Sequence, residues 1–269
     1  MDTLTTADSK IAEKLENFLV QKLSESGLDG YIIGLSGGID SAVSASIAAK
    51  AVGPGKLLGL IMPYSRSSAE SENDALLLAN RLKIKTEKID ISPMINTYYS
   101  DISAVSSIRS GNKMARERMS ILFDKAAQHN LLVLGTSNRT EICLGYGTWY
   151  GDTACSINPI GMLYKTQVRQ LARYYDVPES IVNKPPTADL WPGQTDEDEL
   201  GLEYDKVDRL LFMMIEKGII SREKLNSAGF ENSFIDRAIE LLNKFHFKRH
   251  LPEIADLGLN PIPDRIIVA

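Results

Sequence analysis

Apolar positions along the chain fall into two periods. Ile11, Leu15, Phe18, Leu19 and Leu23 return at helical spacing, so residues 8–25 are predicted to form a helix with one apolar face. "YIIGL" at 31–35 is short, continuous and rich in β-branched residues, the pattern of a strand covered on both faces. "DSAVSASIAAKAV" at 40–52 reads as a helix of small residues, ended by Gly53 and Pro54 and able to lie close to a sheet. The alternation continues with a strand in "KLLGLIM", a helix in "SAESENDALLLANRL" and a strand in "KTEKIDI". A long helix over "GNKMARERMSILFDKAAQHN", a strand in "LLVLG" and a helix in "KTQVRQLARYYD" follow. Strands alternating with helices predict an α/β fold, a doubly wound parallel sheet with right-handed crossovers. The sheet core is expected over about 28–178. Residues 182–201, rich in Pro, Gly and acid, read as a loop, with "DEDEL" within it as a solvated helix start. Residues 202–250 carry helical patterns only, near 203–217, 221–227 and 231–246.

Composition adds bounds. The 269 residues fit one domain over 1–269, and 43% hydrophobic with 24% charged residues is an ordinary globular balance. A net charge of −5 argues against nucleic acid as the main partner, because phosphate contacts call for a basic face. Cys143 and Cys155 match no CxxC or zinc spacing and read as reduced, buried thiols. No run reaches the ~18 apolar residues of a membrane span, and the first residues hold no apolar signal segment, so a cytoplasmic protein without membrane contact is expected.

The candidate chemistry starts where the first strand ends. Gly34, Leu35, Ser36, Gly37, Gly38, Ile39, Asp40 and Ser41 form a glycine-rich turn that opens a helix. Backbone N–H groups at a helix start are unpaired and carry partial positive charge. Glycines let the chain curl around an anion, and Ser36 and Ser41 add hydroxyl donors, so the turn suits phosphate. It is neither a Walker A loop nor a GxGxxG fingerprint. Asp40 would repel phosphate unless a cation such as Mg²⁺ mediates; the alternative makes it a helix N-cap. "GLSGG" also fits G-x-S-x-G, which would make Ser36 a hydrolase nucleophile. That reading needs a histidine after a strand end, and His129, His246 and His250 are not so placed.

"SGGIDS" resembles the SGGxDS signature of the pyrophosphatase-loop enzymes, which cleave ATP between the α and β phosphates and adenylate an oxygen of the substrate. "GNKMARERM" at 111–119, "VLGTSNRTE" at 133–141, "GYGTWYGDTACSINPIG" at 145–161, "YKTQVRQLA" at 164–172, the stretch from Lys184 to Gly201 and "FHFKRHLP" at 245–252 follow in order. Together they look like the ammonia-dependent NAD synthetases over nearly the whole chain. The resemblance implies a Rossmann-like fold of the adenine nucleotide alpha-hydrolase type. It implies that ATP and ammonia convert deamido-NAD to NAD, AMP and pyrophosphate through an NAD-adenylate, the last step of NAD biosynthesis. Residues 34–41 would hold the ATP phosphates, with Asp40 and Glu141 on Mg²⁺. Thr136, Lys165 and Thr187 would contact ATP, Arg116 would bind deamido-NAD, and a homodimer is expected. From the residues alone Glu141, Lys165 and Thr187 could equally be surface or turn residues, and Arg116 one end of a helix-surface pair.

The substrate loop departs from the usual "YFTKYGDGGVDINP". Trp149 stands for a Lys, Thr153-Ala154 for Gly-Gly, Ser156 for an Asp, and Phe247-Lys248 for a His-Lys pair. In the family these positions touch deamido-NAD. Trp149 could stack on a ring of the substrate or simply pack within the loop. Asp152 could accept a proton from attacking ammonia. The departures leave open an adenylating ligase of the same fold acting on another carboxylate.

Overall fold

The alternating pattern becomes a parallel sheet whose order is set by two windings in opposite directions. The computed structural model describes residues 7–65, 67–187, 195–250, 252 and 254–255. Helix α1 (Ser9–Ser26) starts at Asp8, whose side chain accepts from the N–H groups of Lys10 and Ile11. Then come β1 (Gly30–Gly34), α2 (Ile39–Val52), β2 (Leu57–Ile61), α3 (Ala69–Leu82), β3 (Lys85–Lys88), α4 (Ser92–Tyr98), α5 (Ser107–His129) and β4 (Leu131–Val133). The sheet order is β3-β2-β1-β4, and every pairing is parallel. A parallel bridge from Leu134 to Ile157 extends the β4 edge.

The continuous apolar run of β1 is explained by its two covered faces. Tyr31 and Ile33 join Leu19, Val43 and Ile47 of α1 and α2. Ile32, one residue out of phase, joins Leu60, Ile91, Ile95, Met114 and Val133 on the α4–α5 side. By contrast β3 is the polar edge strand "KTEK" and is mostly exposed. Charged side chains on an edge discourage pairing with a second sheet.

The winding reverses between β1 and β4. Ligands in open α/β sheets bind outside the carboxyl ends of the strands at such a switch point. There the chain adds α6 (Arg139–Leu144), α7 (Lys165–Tyr174) and α8 (Glu179–Val182).

The later elements are α9 (Asp196–Leu200), α10 (Tyr204–Leu211), α11 (Arg222–Ser227) and α12 (Asn232–Lys244), with a π-type turn over Phe212–Glu216 after α10. They bury Leu200, Tyr204, Val207, Leu210, Leu225, Ile235 and Leu241 against Leu144 and Tyr164. The helical patterns expected in this region are therefore present. The stretch expected as a loop begins where α8 ends and holds one short helix, α9, near its far end, and its residues 188–194 lie outside the described residues. "DEDEL" does start a helix, but its first residue is buried rather than solvated.

Candidate active site

The glycine turn leaves β1 still paired, with the Leu35 N–H donating to the Leu60 carbonyl at 2.8 Å. Gly37 sits at φ +76°, and a Cβ there would lie 2.2 Å from the Ser71 carbonyl oxygen. Both the backbone angle and the contact demand glycine. Ser41 Oγ donates to the Gly38 carbonyl at 2.9 Å and lies 3.1 Å from Ser36 Oγ, which accepts from the Gly38 N–H. The turn is thereby held in shape by its own hydroxyls. Gly38 is the N-cap of α2, and no side chain caps that end. The N-terminal N–H groups and the positive end of the helix dipole are available to an anion.

Asp40 is not the cap. It lies in the first turn of α2, and its carboxylate reaches across the site. One oxygen accepts from Asn138 Nδ2 at 2.9 Å and the other from Lys165 Nζ at 2.6 Å. Asn138 opens α6 with a capping box: its side chain accepts from the Glu141 N–H, and Glu141 accepts from the Asn138 N–H. That box fixes Glu141, whose other oxygen accepts from Lys165 Nζ at 3.2 Å. Lys165 is the first residue of α7, and its side chain is only 3% exposed. Burial alone would push its pKa down, but Asp40 and Glu141 outweigh it and hold the ammonium charged. Glu141 moves up to about 8, chiefly by burial and then by the charge of Asp40.

A second set of buried groups closes this cluster from the C-terminal helices. Lys165 Nζ lies 5.0 Å from the centre of the Tyr204 ring, a cation–π contact. Asp196 accepts from Tyr146 Oη at 2.9 Å and from Tyr204 Oη at 3.3 Å. Burial raises the pKa of Asp196, and burial together with the nearby carboxylates raises that of Tyr204. Asp208, fully buried on α10, accepts from Thr140 Oγ1 and, at 2.8 Å each, from the N–H and hydroxyl of Thr166. Thr140 Oγ1 in turn accepts from the Lys165 N–H at 3.0 Å. Asp208 thus clamps the start of α6 to the start of α7, from which Glu141 and Lys165 extend.

These groups face a cavity of about 790 Å³. Its wall contains all of Gly34 to Ser41, together with Thr136, Glu141, Asp152, Lys165, Thr187 and Lys248. Asp152 is an exposed residue that opens onto this concavity. Its carboxylate accepts from the Thr148 N–H at 2.8 Å, and desolvation by the surrounding walls raises its pKa. Lys248 donates to the carbonyls of Gly145 and Gly147 at 2.8 and 2.7 Å, and burial lowers its pKa. Arg116, Trp149 and Ser156 are not among the described residues that form the wall. Trp149 stacks on Tyr150 at 4.5 Å and meets Phe247 edge-on at 5.1 Å, while Arg116 Nε donates to the Trp149 carbonyl. The Val133 N–H donates to Ser156 Oγ at 3.2 Å, so Ser156 serves the sheet edge.

Other expectations resolve simply. Both cysteines are free, and burial raises the pKa of each. Of the long helix, Met114 is in the core, while Met119 and Leu122 line the cavity. No histidine is among the described residues lining the cavity, and His129 is paired with Glu87, so Ser36 lacks the base a hydrolase needs. Asn138, Asp196, Tyr204 and Asp208 were not singled out from sequence, although Asn138 sits three residues before Glu141 in capping-box spacing. No helix among the described residues is long and apolar enough to cross a membrane.

Comparison with known proteins places this geometry. The model of the NAD synthase family matches residues 11–252. An NH(3)-dependent NAD(+) synthetase of Fusobacterium nucleatum subsp. nucleatum is 42% identical over 257 residues, covering 96% of this chain and 99% of the relative. Another, from Pelodictyon phaeoclathratiforme, is 46% identical over 248 residues, covering 92% and 89%. Among solved structures, NMN synthetase from Francisella tularensis superposes with a TM-score of 0.81 at 36% identity, covering 92% of this chain and 98% of that one. The NH3-dependent NAD synthetase from Campylobacter jejuni, in complex with nitrate ion, gives 0.79 at 35% identity with the same coverage. The parallel sheet, the glycine turn at its switch point and these relatives converge: the chain belongs to the NAD synthase family.

Proposed function

We infer that this chain is a ligase that uses ATP to amidate deamido-NAD with ammonia, giving NAD, AMP and pyrophosphate. The observation that carries the reading is the Asp40–Lys165–Glu141 cluster set against an uncapped helix start at the switch point of the sheet.

The division of labour follows from the geometry. Residues 34–41 hold the ATP phosphates through turn N–H groups and hydroxyls, with Thr136 and Thr187 as further ATP contacts. The nicotinate carboxylate attacks the α-phosphate, and Lys165 with the α2 dipole steadies charge on the departing pyrophosphate. Asp40 and Glu141 converge on one ammonium, so their oxygens share a small volume. Mg²⁺ needs only one or two carboxylates beside water and phosphate oxygens, so this donor set fits it. When bound, Mg²⁺ supplies charge neutralisation on the leaving phosphates. Asp152, with its raised pKa, takes the proton that ammonia sheds as it attacks the adenylated carbonyl. Arg116, Trp149, Ser156 and Lys248 belong to the deamido-NAD side. A homodimer is part of the proposal, supported by exposed Tyr98, Ile108 and Phe123 on α4 and α5.

The test is a product assay with ATP, Mg²⁺ and ammonium, with and without deamido-NAD. NAD and AMP should form one for one, and only when deamido-NAD is present. ATP left intact would overturn the reading.

One observation favours a second reading of substrate choice. The Trp149–Tyr150–Phe247 cluster puts rings where the resemblance leads one to expect charged dinucleotide contacts. A neighbour of the same fold carries the name NMN synthetase. The deamido form of NMN would present the same carboxylate to the same adenylating half. Comparing kcat/KM for the dinucleotide and the mononucleotide decides between them, and a higher value for the dinucleotide removes the second reading.

A further inference from the structure

Lys165 is the cation expected at the phosphates, yet its charge is spent inside the wall. It is 3% exposed and bonded to two carboxylates. The carboxylates of Asp40 and Glu141 match its ammonium, so the cluster offers no surplus positive charge beside a turn meant for a polyanion. A second cation stands on the other flank. Lys184 lines the cavity, and its side chain is 18% exposed. Its Nζ donates to Ser71 Oγ at 3.0 Å and to Asp74 Oδ2 at 3.3 Å. Ser71 and Asp74 lie on one face of α3, and Ser71 is the residue whose backbone presses on Gly37 of the turn. Asp74 is oriented in turn by Ser180 Oγ at 2.7 Å, from the same α8 segment that leads into Lys184. The ammonium is therefore anchored to the helix that touches the phosphate turn. An ammonium has three donors, and the two contacts made among the described residues use two of them.

We propose that Lys184, held by Ser71 and Asp74 of α3, is a second cationic contact for the β and γ phosphates of ATP and for the pyrophosphate they become. The proposal rests on the adenylation reading. The two lysines divide the leaving phosphates between them: Lys165 acts from α7 with its charge shared by two carboxylates, and Lys184 acts from the α3 side. The Asp74 contact is long and single, so a trianionic or tetra-anionic phosphate competes for the ammonium at little cost.

The test is calorimetric titration of the full chain, with Mg²⁺ present, using inorganic pyrophosphate and AMP as separate probes. K184M should weaken pyrophosphate by about tenfold or more, the scale of one charge-assisted contact. AMP affinity should stay within about twofold. K184R should recover most of the pyrophosphate affinity. K184Q removes the charge while keeping a polar side chain one bond shorter, so it is the second charge-removing variant if K184M does not fold. Equal pyrophosphate affinity in wild type and K184Q would overturn the role of Lys184 and leave adenylation standing. Failure of the wild-type protein to bind either probe, or to turn over ATP, would instead overturn the adenylation reading itself.

Discussion

The cavity has two walls built in different ways. The wall around Gly34 to Ser41 comes from one short stretch and works mainly through backbone N–H groups and local hydroxyl contacts. The facing wall comes from distant residues and works through buried charge. From that wall Lys165 reaches Asp40 of the turn, 125 residues away, and Asp208 holds Thr140, 68 away. In the proposed reaction the first wall would hold the phosphate chain and the second would set where charge sits while that chain is cut. A turn can be carried by many folds, whereas the facing wall needs the C-terminal helices in place, because Asp196, Tyr204 and Asp208 all come from them.

The comparison breaks most severely at Lys165. K165M leaves Asp40 and Glu141 buried without their cation. Turnover should fall by about 10²–10³, as for loss of one preorganised donor to a developing charge. Unfolding free energy should drop by about 3–5 kcal/mol, the usual result of removing one partner of a buried pair. Steady-state rates and denaturant melts measure both, and near-normal turnover would show that the carboxylates do not need the ammonium.

Next is Asp208, which touches no substrate site directly. D208A removes the acceptor for Thr140 and Thr166 and should cost about 3 kcal/mol of stability. If it also positions Lys165, kcat should fall about tenfold with the KM for ATP little changed. Loss of stability alone would make it a purely structural clamp.

On the substrate side W149A should raise the KM for deamido-NAD by roughly tenfold, about 1.4 kcal/mol, if the ring stacks on the substrate. An unchanged KM would assign Trp149 to packing with Tyr150 and Phe247 alone.

The smallest effect belongs to the sheet. Burial raises the Tyr31 hydroxyl to about 12 from its ordinary value of 10.0. The folded state then holds that proton more tightly than the unfolded chain, so stability is full below pH 10 and falls as pH rises from there toward 12. Y31F should flatten that alkaline slope, while costing about 1 kcal/mol at neutral pH for the lost bond to the Leu19 carbonyl. An unchanged slope would place the titrating group elsewhere.

These walls also explain what could be read in advance. The strands and the turn are legible because period and glycine placement are local signals, and "YIIGL" followed by "SGGIDS" states both in eleven residues. Four acids in sequence from Asp196 suggest a solvated polar face. Asp196 is buried because Tyr146 and Tyr204 donate to it from 50 and 8 residues away. Asp208 is hidden for the same reason: its three donors lie on α6 and α7, and nothing around it in "KVDRL" marks a buried acid. Glu141 and Lys165 are legible only through motif resemblance, because the fold, not local sequence, pairs them.

The most direct measurement is exchange of labelled pyrophosphate into ATP in the absence of ammonia. Exchange is expected to require deamido-NAD and Mg²⁺, because the adenylate forms reversibly before nitrogen arrives. NAD synthesis without any such exchange, or exchange indifferent to deamido-NAD, would contradict the adenylation reading.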